Sequence, residues 1–300
     1  MKIGLCGAGR MGVAIGERLI EQGHELAVWN RTARKAKPLV DAGAVRVVTP
    51  AALFDAADLV ISVTGDDKAA KAVYEGRDGI LSAGLKGRLV VEMSTLTPET
   101  NRRLEALVRK RGGAFLECPV GGSVVPARQG NLLGMAGGTP AAWKRAKPVL
   151  EQLCRKVERL GPVGAGTTMK LAINLPLLTY FEALGEAISL TESAGIKRAL
   201  AADFLAESSG AAKVAPARIP WVMDAVGGKL PKGVNFDIAG ATKDAALMVG
   251  TARKAGFRLP AIDAARKSLA EAAKGSWGGR DFSLIAAWRA IQSRKAKRSK

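Results

Sequence analysis

The first half of the chain alternates short β-branched apolar runs with stretches whose apolar positions recur every three or four residues. The runs Lys2–Cys6, Glu25–Trp29, Val45–Val48, Leu59–Val63, Arg88–Met93, Phe115–Cys118, Leu132–Ala136 and Val157–Leu160 predict strands. Between the first four, segments such as Met11, Ile15, Leu19 carry the helical period. Strand, helix, strand in this rhythm predicts an α/β fold with a parallel, doubly wound sheet. The later strands, separated by helical runs from Pro98 to Arg111 and after Pro140, extend that sheet.

From Gly166 the pattern changes. Residues 167–194 predict one long interdomain helix of roughly 42 Å, with Pro176 expected to kink it or shift its start. Residues 196–290 are rich in Ala and Leu, broken at Pro216, Pro220, Pro231 and Pro260, and show no strand pattern. They predict an all-helical C-terminal domain. The boundary falls in Gly161–Gly166, where Gly and Pro predominate, dividing the chain into 1–163 and 164–300.

Composition narrows the class. With 48% hydrophobic and 24% charged residues, the 300-residue chain can bury a sizeable core and is not disordered. Cys6, Cys118 and Cys154 are odd in number and far apart, which predicts no disulfide framework and a reducing, cytoplasmic setting. The single histidine, His24, excludes a His-rich zinc site and argues against a Ser-His-Asp triad; no metal is expected. Met1–Gly12 forms no signal-peptide core. The apolar stretch Leu171–Phe181 is interrupted by Asn174 and Pro176 and is too short for a membrane span, so a soluble protein is expected.

The net charge of +19 raises the question of nucleic acid. Its most basic segment, Arg294, Lys295, Lys297, Arg298 and Lys300, reads as a solvated, frayed terminus. Only 5% of residues are aromatic, so no stacking platform can be read, and nucleic acid is not the expected partner. Positive charge equally suits an acidic substrate and a phosphorylated cofactor.

Gly7-Ala8-Gly9-Arg10-Met11-Gly12 is a G-x-G-x-x-G that follows the first predicted strand and opens a helix. Gly7 permits the tight turn, Gly9 lets the backbone approach a pyrophosphate, and Gly12 lets helix and strand pack closely. At the end of the second strand stands Asn30-Arg31-Thr32, where a carboxylate would favour NAD. A guanidinium at Arg31 pairs with a 2′-phosphate, and Asn30 and Thr32 can add neutral donors, so NADP is expected over NAD. Thr64, Ser94 and Thr95 follow two further strands and should line the same crevice; Ser94 and Thr95 could also cap the next helix.

In Gly164-Ala165-Gly166-Thr167-Thr168-Met169-Lys170-Leu171-Ala172-Ile173-Asn174, Lys170 and Asn174 share one face of the long helix, with Thr167 a turn below. From spacing alone, a Lys near a helix start is usually a surface residue.

The ordered set of the glycine loop, Glu92-Met93-Ser94-Thr95, Glu117-Cys118-Pro119-Val120-Gly121-Gly122-Ser123, Gly164-x-Gly166-x-x-x-Lys170-x-x-x-Asn174 and Lys243-Asp244 resembles the β-hydroxyacid dehydrogenase family, over nearly the whole chain. The resemblance implies a Rossmann domain, a linking helix and a helical domain that assembles into homodimers or homotetramers. It implies Lys170 as catalytic acid/base with Asn174 beside it, and Lys243 near the nicotinamide. It also implies Thr95 against the cofactor, and Gly121, Gly122 and Ser123 holding a substrate carboxylate. Gly121 departs from the Ser of most members. Gly122-Ser123 followed by Pro126-Ala127 and Gly130, with Asn-Arg-Thr, is closer to the glyoxylate/succinic semialdehyde reductases.

The expected activity is therefore NADP-dependent hydride transfer to a small carboxylate-bearing aldehyde, or from a β-hydroxyacid. Two alternatives stand beside it. An imine reductase usually carries Asp or Tyr at the position of Lys170, and some non-enzymatic, nucleic-acid-associated proteins that resemble this family lack the Lys, which this chain keeps. Trp221, Met223 and Phe236 are candidates for shaping the substrate pocket, with Trp221 equally readable as a packing anchor.

Overall fold

A computed structural model describes residues 1–298 of the chain, with side chains as far as Arg294. It divides into two compact units, Met1–Lys170 and Leu171–Lys300.

The first unit is built on β1 (Lys2–Cys6), β2 (Glu25–Trp29), β3 (Val45–Arg46), β4 (Leu59–Ser62), β5 (Leu89–Glu92), β6 (Ala114–Glu117), β7 (Val120–Gly121), β8 (Leu132–Gly138) and β9 (Cys154–Gly161). These form one sheet in the order β3-β2-β1-β4-β5-β6-β8-β7, with β9 pairing β8. The pairs from β3 to β6 are all parallel. The expectation of a parallel sheet fails beyond β6, because β8 runs antiparallel to β6 and to the unexpected short strand β7. Between β6 and β8 the chain passes through β7 and the five-residue helix Val124–Arg128, and β7 and β8 pair as antiparallel neighbours.

Helices cover both faces. They are α1 (Arg10–Glu21), α2 (Lys37–Asp41), α3 (Leu53–Ala56), α4 (Asp67–Glu75), α5 (Pro98–Lys110), α6 (Val124–Arg128) and α7 (Pro140–Leu153). Ile3, Leu5, Leu59, Ile61, Leu89 and Val91 join one core with Ile15, Leu19 and Leu150. The alternate positions Cys6, Val60 and Val90 join the other with Leu53, Tyr74 and Leu104. Burial on both faces is why these strands read as unbroken apolar runs. The order reverses at β1, flanked by β2 and β4, and a doubly wound sheet takes its ligand at the carboxyl ends of such strands.

Helix α8 (Ala165–Ser193) begins in the first unit and continues through Pro176 as one element. The second unit adds α9 (Arg198–Glu207), α10 (Ala215–Val226), α11 (Ile238–Lys254), α12 (Pro260–Lys274) and α13 (Ile285–Arg298). Its core gathers Leu178, Phe181, Leu184 and Ile188 of α8 with Val222, Met248, Leu269 and Ile285. By length and composition α8 could cross a membrane, contrary to the expectation from residues 171–181 alone. Its burial in this core, and Lys170, Glu182, Glu186 and Glu192 along it, mark it as a core helix. Arg294 also corrects an expectation: it lies within α13 and its Nε donates to Glu192 at 2.6 Å, so the helix does not fray there. The side chains of Lys295, Lys297, Arg298 and Lys300 lie outside the described residues.

Candidate active site

The glycine loop has the shape that a phosphate cradle requires. Gly7 has φ +113°, and a Cβ there would meet the Val63 carbonyl oxygen at 2.2 Å. At Gly12 a Cβ would meet the Gly7 carbonyl oxygen at 2.0 Å, so helix and loop touch directly. Gly9 is different: a Cβ there would meet nothing within 4 Å. Nothing in the protein demands glycine at that position, whereas an approaching ligand would. Gly9 is also the N-cap of α1 and gives it no side-chain cap, which leaves this terminus to an anion. The residues fit a dinucleotide. Arg10 is exposed beside the loop and Met11 half-buried.

Asn30 holds this loop in place. Its Oδ1 accepts from the Ala8 N–H at 2.8 Å, and its Nδ2 donates to the Thr32 carbonyl at 2.9 Å. The amide expected to face a 2′-phosphate is thus engaged in tying the end of β2 to the turn after β1. Arg31 is exposed and Thr32 half-buried at that end.

At the neighbouring strand ends, the Ser94 hydroxyl accepts from the Thr64 N–H at 2.6 Å and lies 3.1 Å from Thr64 Oγ1. Ser94 is buried, and this contact joins the end of β4 to the end of β5; Thr95 is half-buried next to it. Neither caps the following helix. That role belongs to Thr97, whose hydroxyl accepts from the Thr100 N–H ahead of Pro98. Beneath them Glu92 is fully buried and accepts from the Ser94 N–H at 2.8 Å and the Tyr74 hydroxyl at 2.9 Å. Burial pushes its carboxyl above the usual range, and these hydrogen bonds pull it part of the way back.

Gly121 pairs with Leu133 in the sheet. Gly122 has φ +123°, and a Cβ there would press on Leu132 Cδ2 at 2.8 Å. Ser123 is half-buried and starts α6 without a side-chain capping bond.

Lys170 is 8% exposed, at the second turn of α8. Burial separates it from an ordinary surface Lys, which keeps its ammonium in water. The helix start beneath it is fixed by Glu117 and Asn101, which sequence reasoning passed over as site residues. Glu117 ends β6 and accepts from the N–H groups of Gly164 and Gly166 at 2.7 and 2.8 Å.

In the second unit three residues meet. Asn174 Nδ2 donates to Asp244 Oδ2 at 3.3 Å, and Lys243 Nζ stands 3.1 Å from Asp244 Oδ1, close but not aligned as a hydrogen bond. Asp244 is buried and joins the two residues singled out from the sequence. The signal for it was present, since it directly follows Lys243. Among the pocket candidates, Trp221 carries the Arg218 guanidinium 4.9 Å from its ring centroid, and Phe236 packs against Phe282 at 5.5 Å. Met223 is buried in the core. No cluster of metal-ligating residues occurs among the described residues.

Sheet order, glycine loop and helical unit together define a pyridine-nucleotide oxidoreductase. Residues 2–161 match the model of the NAD binding domain of 6-phosphogluconate dehydrogenase. Residues 164–288 match that described as NAD-binding of NADP-dependent 3-hydroxyisobutyrate dehydrogenase. The chain belongs to the β-hydroxyacid dehydrogenase family, and it is an NAD(P)-dependent enzyme acting on CH–OH.

It is 30% identical over 299 residues to glyoxylate/succinic semialdehyde reductase 2 of Arabidopsis thaliana, covering 99% of this chain and 82% of that one. It is 29% identical to the NAD-dependent L-serine dehydrogenase of Pseudomonas aeruginosa, over 95% of this chain and 96% of that one. Among solved structures, Psf3 in complex with NADP+ and 2-OPP superposes with a TM-score of 0.84 at 27% identity, covering 95% of this chain and 99% of that one. Imine reductases share the fold alone, at 18–24% identity and TM-scores of 0.62–0.65.

Proposed function

We propose that the protein is an NADP-dependent reductase of a small carboxylate-bearing aldehyde, or a dehydrogenase of the matching β-hydroxyacid, with Lys170 as general acid/base. The observation that carries this reading is the burial of Lys170 on the turn after the Gly164–Thr167 helix start. Bound as the reduced form, the cofactor supplies hydride to the carbonyl carbon. The ammonium of Lys170 then donates a proton to the oxygen on which negative charge develops, and in the other direction the amine accepts it. Asn174, one turn further along α8, orients substrate or amine without adding charge, and Asp244 holds Asn174 and Lys243 in place.

Support for NADP comes from the exposed Arg31 at the end of β2, where no carboxylate follows the strand, and from the NADP+ complex among the structural relatives. For the substrate carboxylate, the turn at Gly122 and Ser123 offers backbone N–H groups. Exposed Leu190 and Phe204, at 71% and 73%, supply apolar surface for self-association.

The test is nucleotide oxidation against glyoxylate, succinic semialdehyde, tartronate semialdehyde and methylmalonate semialdehyde, with a cyclic imine as control, run with NADPH and with NADH. We expect turnover of at least one semialdehyde, a preference for NADPH, and a loss of about 10²–10⁴ in kcat for Lys170→Ala with NADPH binding intact. Turnover within tenfold of wild type in that variant would remove Lys170 from the chemistry.

A further inference from the structure

We propose that Glu117 is the positioning residue for Lys170, acting as an N-cap supplied in trans to α8. The proposal rests on the acid/base reading of Lys170. A helix start leaves its first N–H groups without intrahelical partners, and Ser, Thr, Asp or Asn at the N-cap normally takes one of them. Here the residue before the helix is Gly164, at φ +104°, and it has no side chain to do so. The missing acceptor arrives from the end of β6, 47 to 50 residues earlier in the chain.

Glu117 Oε1 accepts from the N–H groups of Gly164 at 2.7 Å, Gly166 at 2.8 Å and Thr167 at 3.2 Å. Its Oε2 accepts from the Thr167 hydroxyl at 2.8 Å and from Asn101 Nδ2 at 2.8 Å. Asn101 Nδ2 also reaches Thr167 Oγ1 at 2.7 Å, which closes a triangle of three fully buried side chains. One carboxylate thus accepts five hydrogen bonds, three of them from the backbone that launches the helix.

The surrounding glycines show that this carboxylate has no room to move. A Cβ at Gly137 would meet Glu117 Oε1 at 2.4 Å. At Gly166 a Cβ would meet it at 3.2 Å and the Met135 carbonyl oxygen at 2.2 Å. The helix start is pressed onto β8 with the carboxylate locked between them. Lys170 follows Thr167 by three residues, so any tilt or fraying of the first turn displaces its amine directly. A negative group at a helix N-terminus is also favourable to the helix itself. Reaction geometry is sensitive to displacements of about 1 Å, which can cost on the order of 10²-fold in rate. Five fixed hydrogen bonds at this helix start restrain displacements of that size.

The decisive experiment compares wild type, Glu117→Gln, Thr167→Val and Thr167→Ser. The amide of Glu117→Gln keeps the shape but removes the charge met by three backbone N–H groups and turns an NH2 towards Thr167 and Asn101. We expect amide hydrogen exchange in the peptide spanning Gly164–Lys170 to accelerate at least tenfold, with kcat down 10- to 100-fold. The pH–kcat profile should shift, while NADPH affinity stays within twofold. Thr167→Val removes one donor to Glu117 and the acceptor of one Asn101 bond and should lower kcat three- to tenfold, and Thr167→Ser should restore it; this pair keeps the test decisive even if Glu117→Gln folds poorly.

Unchanged exchange in the Gly164–Lys170 peptide would overturn the proposal. So would accelerated exchange with kcat and pH profile within twofold of wild type. Retained turnover in Lys170→Ala, where Glu117 is intact, would instead overturn the acid/base reading. The exchange measurement needs no turnover and still judges the anchor in that case.

Discussion

Buried acids are held differently in the two units. In Met1–Lys170, Glu92 and Glu117 accept from neutral donors: backbone N–H groups, the hydroxyls of Tyr74 and Thr167, and the amide of Asn101. In Leu171–Lys300, each buried acid sits near a cation. Glu182 Oε2 accepts from Arg289 Nε at 3.2 Å, Asp281 lies 4.0 Å from Arg218, and Asp244 lies 3.1 Å from Lys243. Neutral donors of the first kind belong to loops and helix starts, so each such bond fixes a piece of backbone. Of the cation pairs, Glu182 and Arg289 clasp α8 to α13, Lys243 and Asp244 are neighbours within α11, and Asp281 also accepts from the N–H groups of Asn235 and Ser283. Glu92 and Glu117 are register partners at the carboxyl ends of β5 and β6, where the doubly wound sheet presents its site. Glu92 and Glu117 are thus backbone anchors at strand ends, whereas Glu182 is a clasp between two helices.

The largest effect expected from breaking this contrast is at Arg289. Arg289→Met, unfolded in urea at pH 8.5 where Glu182 is charged, should lose about 2–3 kcal/mol because the acid stays buried without its cation. Pairing it with Glu182→Gln should recover most of that loss. A double variant as unstable as the single one would show that the guanidinium acts by packing rather than by charge.

A smaller effect is carried by pH. Burial pushes the Glu182 carboxyl up from 4.5 to about 7, against the pull of Arg289. Between those values the folded state keeps a proton that the unfolded chain has lost. Stability from this group is therefore complete below about pH 4.5, falls as pH rises towards 7, and is flat above. Wild type should lose about 1–2 kcal/mol relative to Glu182→Gln between pH 5 and pH 8. Parallel pH–stability curves for the two proteins would refute the shift.

The contrast also explains what could be read in advance. The glycine loop was legible because Gly7 and Gly12 answer to local sterics and Gly9 to a ligand, and all three lie within six residues. Lys170, Asn174 and Lys243 were singled out by resemblance, and the structure buries Lys170 and brings Asn174 and Lys243 to Asp244. Glu117 as an anchor was not legible, because its donors lie 16 to 50 residues away and its own neighbours do not announce a cap. The tie that Asn30 makes to Ala8, 22 residues distant, was hidden for the same reason. The direction of β8 was hidden too, since an apolar run such as Leu132–Ala136 has the same pattern parallel or antiparallel. Its pairing with β6 and β7 settles it.

The smallest effect is the most discriminating. Glu92 and Glu117 share burial, strand position and neutral donors, yet their donors differ in one respect. The Tyr74 hydroxyl that donates to Glu92 Oε2 can rotate and become an acceptor, while the Ser94 N–H still finds an oxygen in a Gln side chain. Glu92→Gln should therefore keep every hydrogen bond with one polarity reversed, and cost less than about 1 kcal/mol in urea unfolding. At Glu117 the three backbone N–H groups have no such freedom, and a Gln keeps its bonds only if the Thr167 hydroxyl reverses and Asn101 turns its unpaired Oδ1 to the new NH2. That coupled rearrangement, with three backbone bonds weakened by loss of the charge they meet, should cost Glu117→Gln about 1–3 kcal/mol. If the two variants lose equal stability, donor reversibility is not what separates these sites. If Glu92→Gln proves the costlier of the two, the rigid anchor belongs under the Thr64–Ser94 strand ends rather than under the helix that carries Lys170.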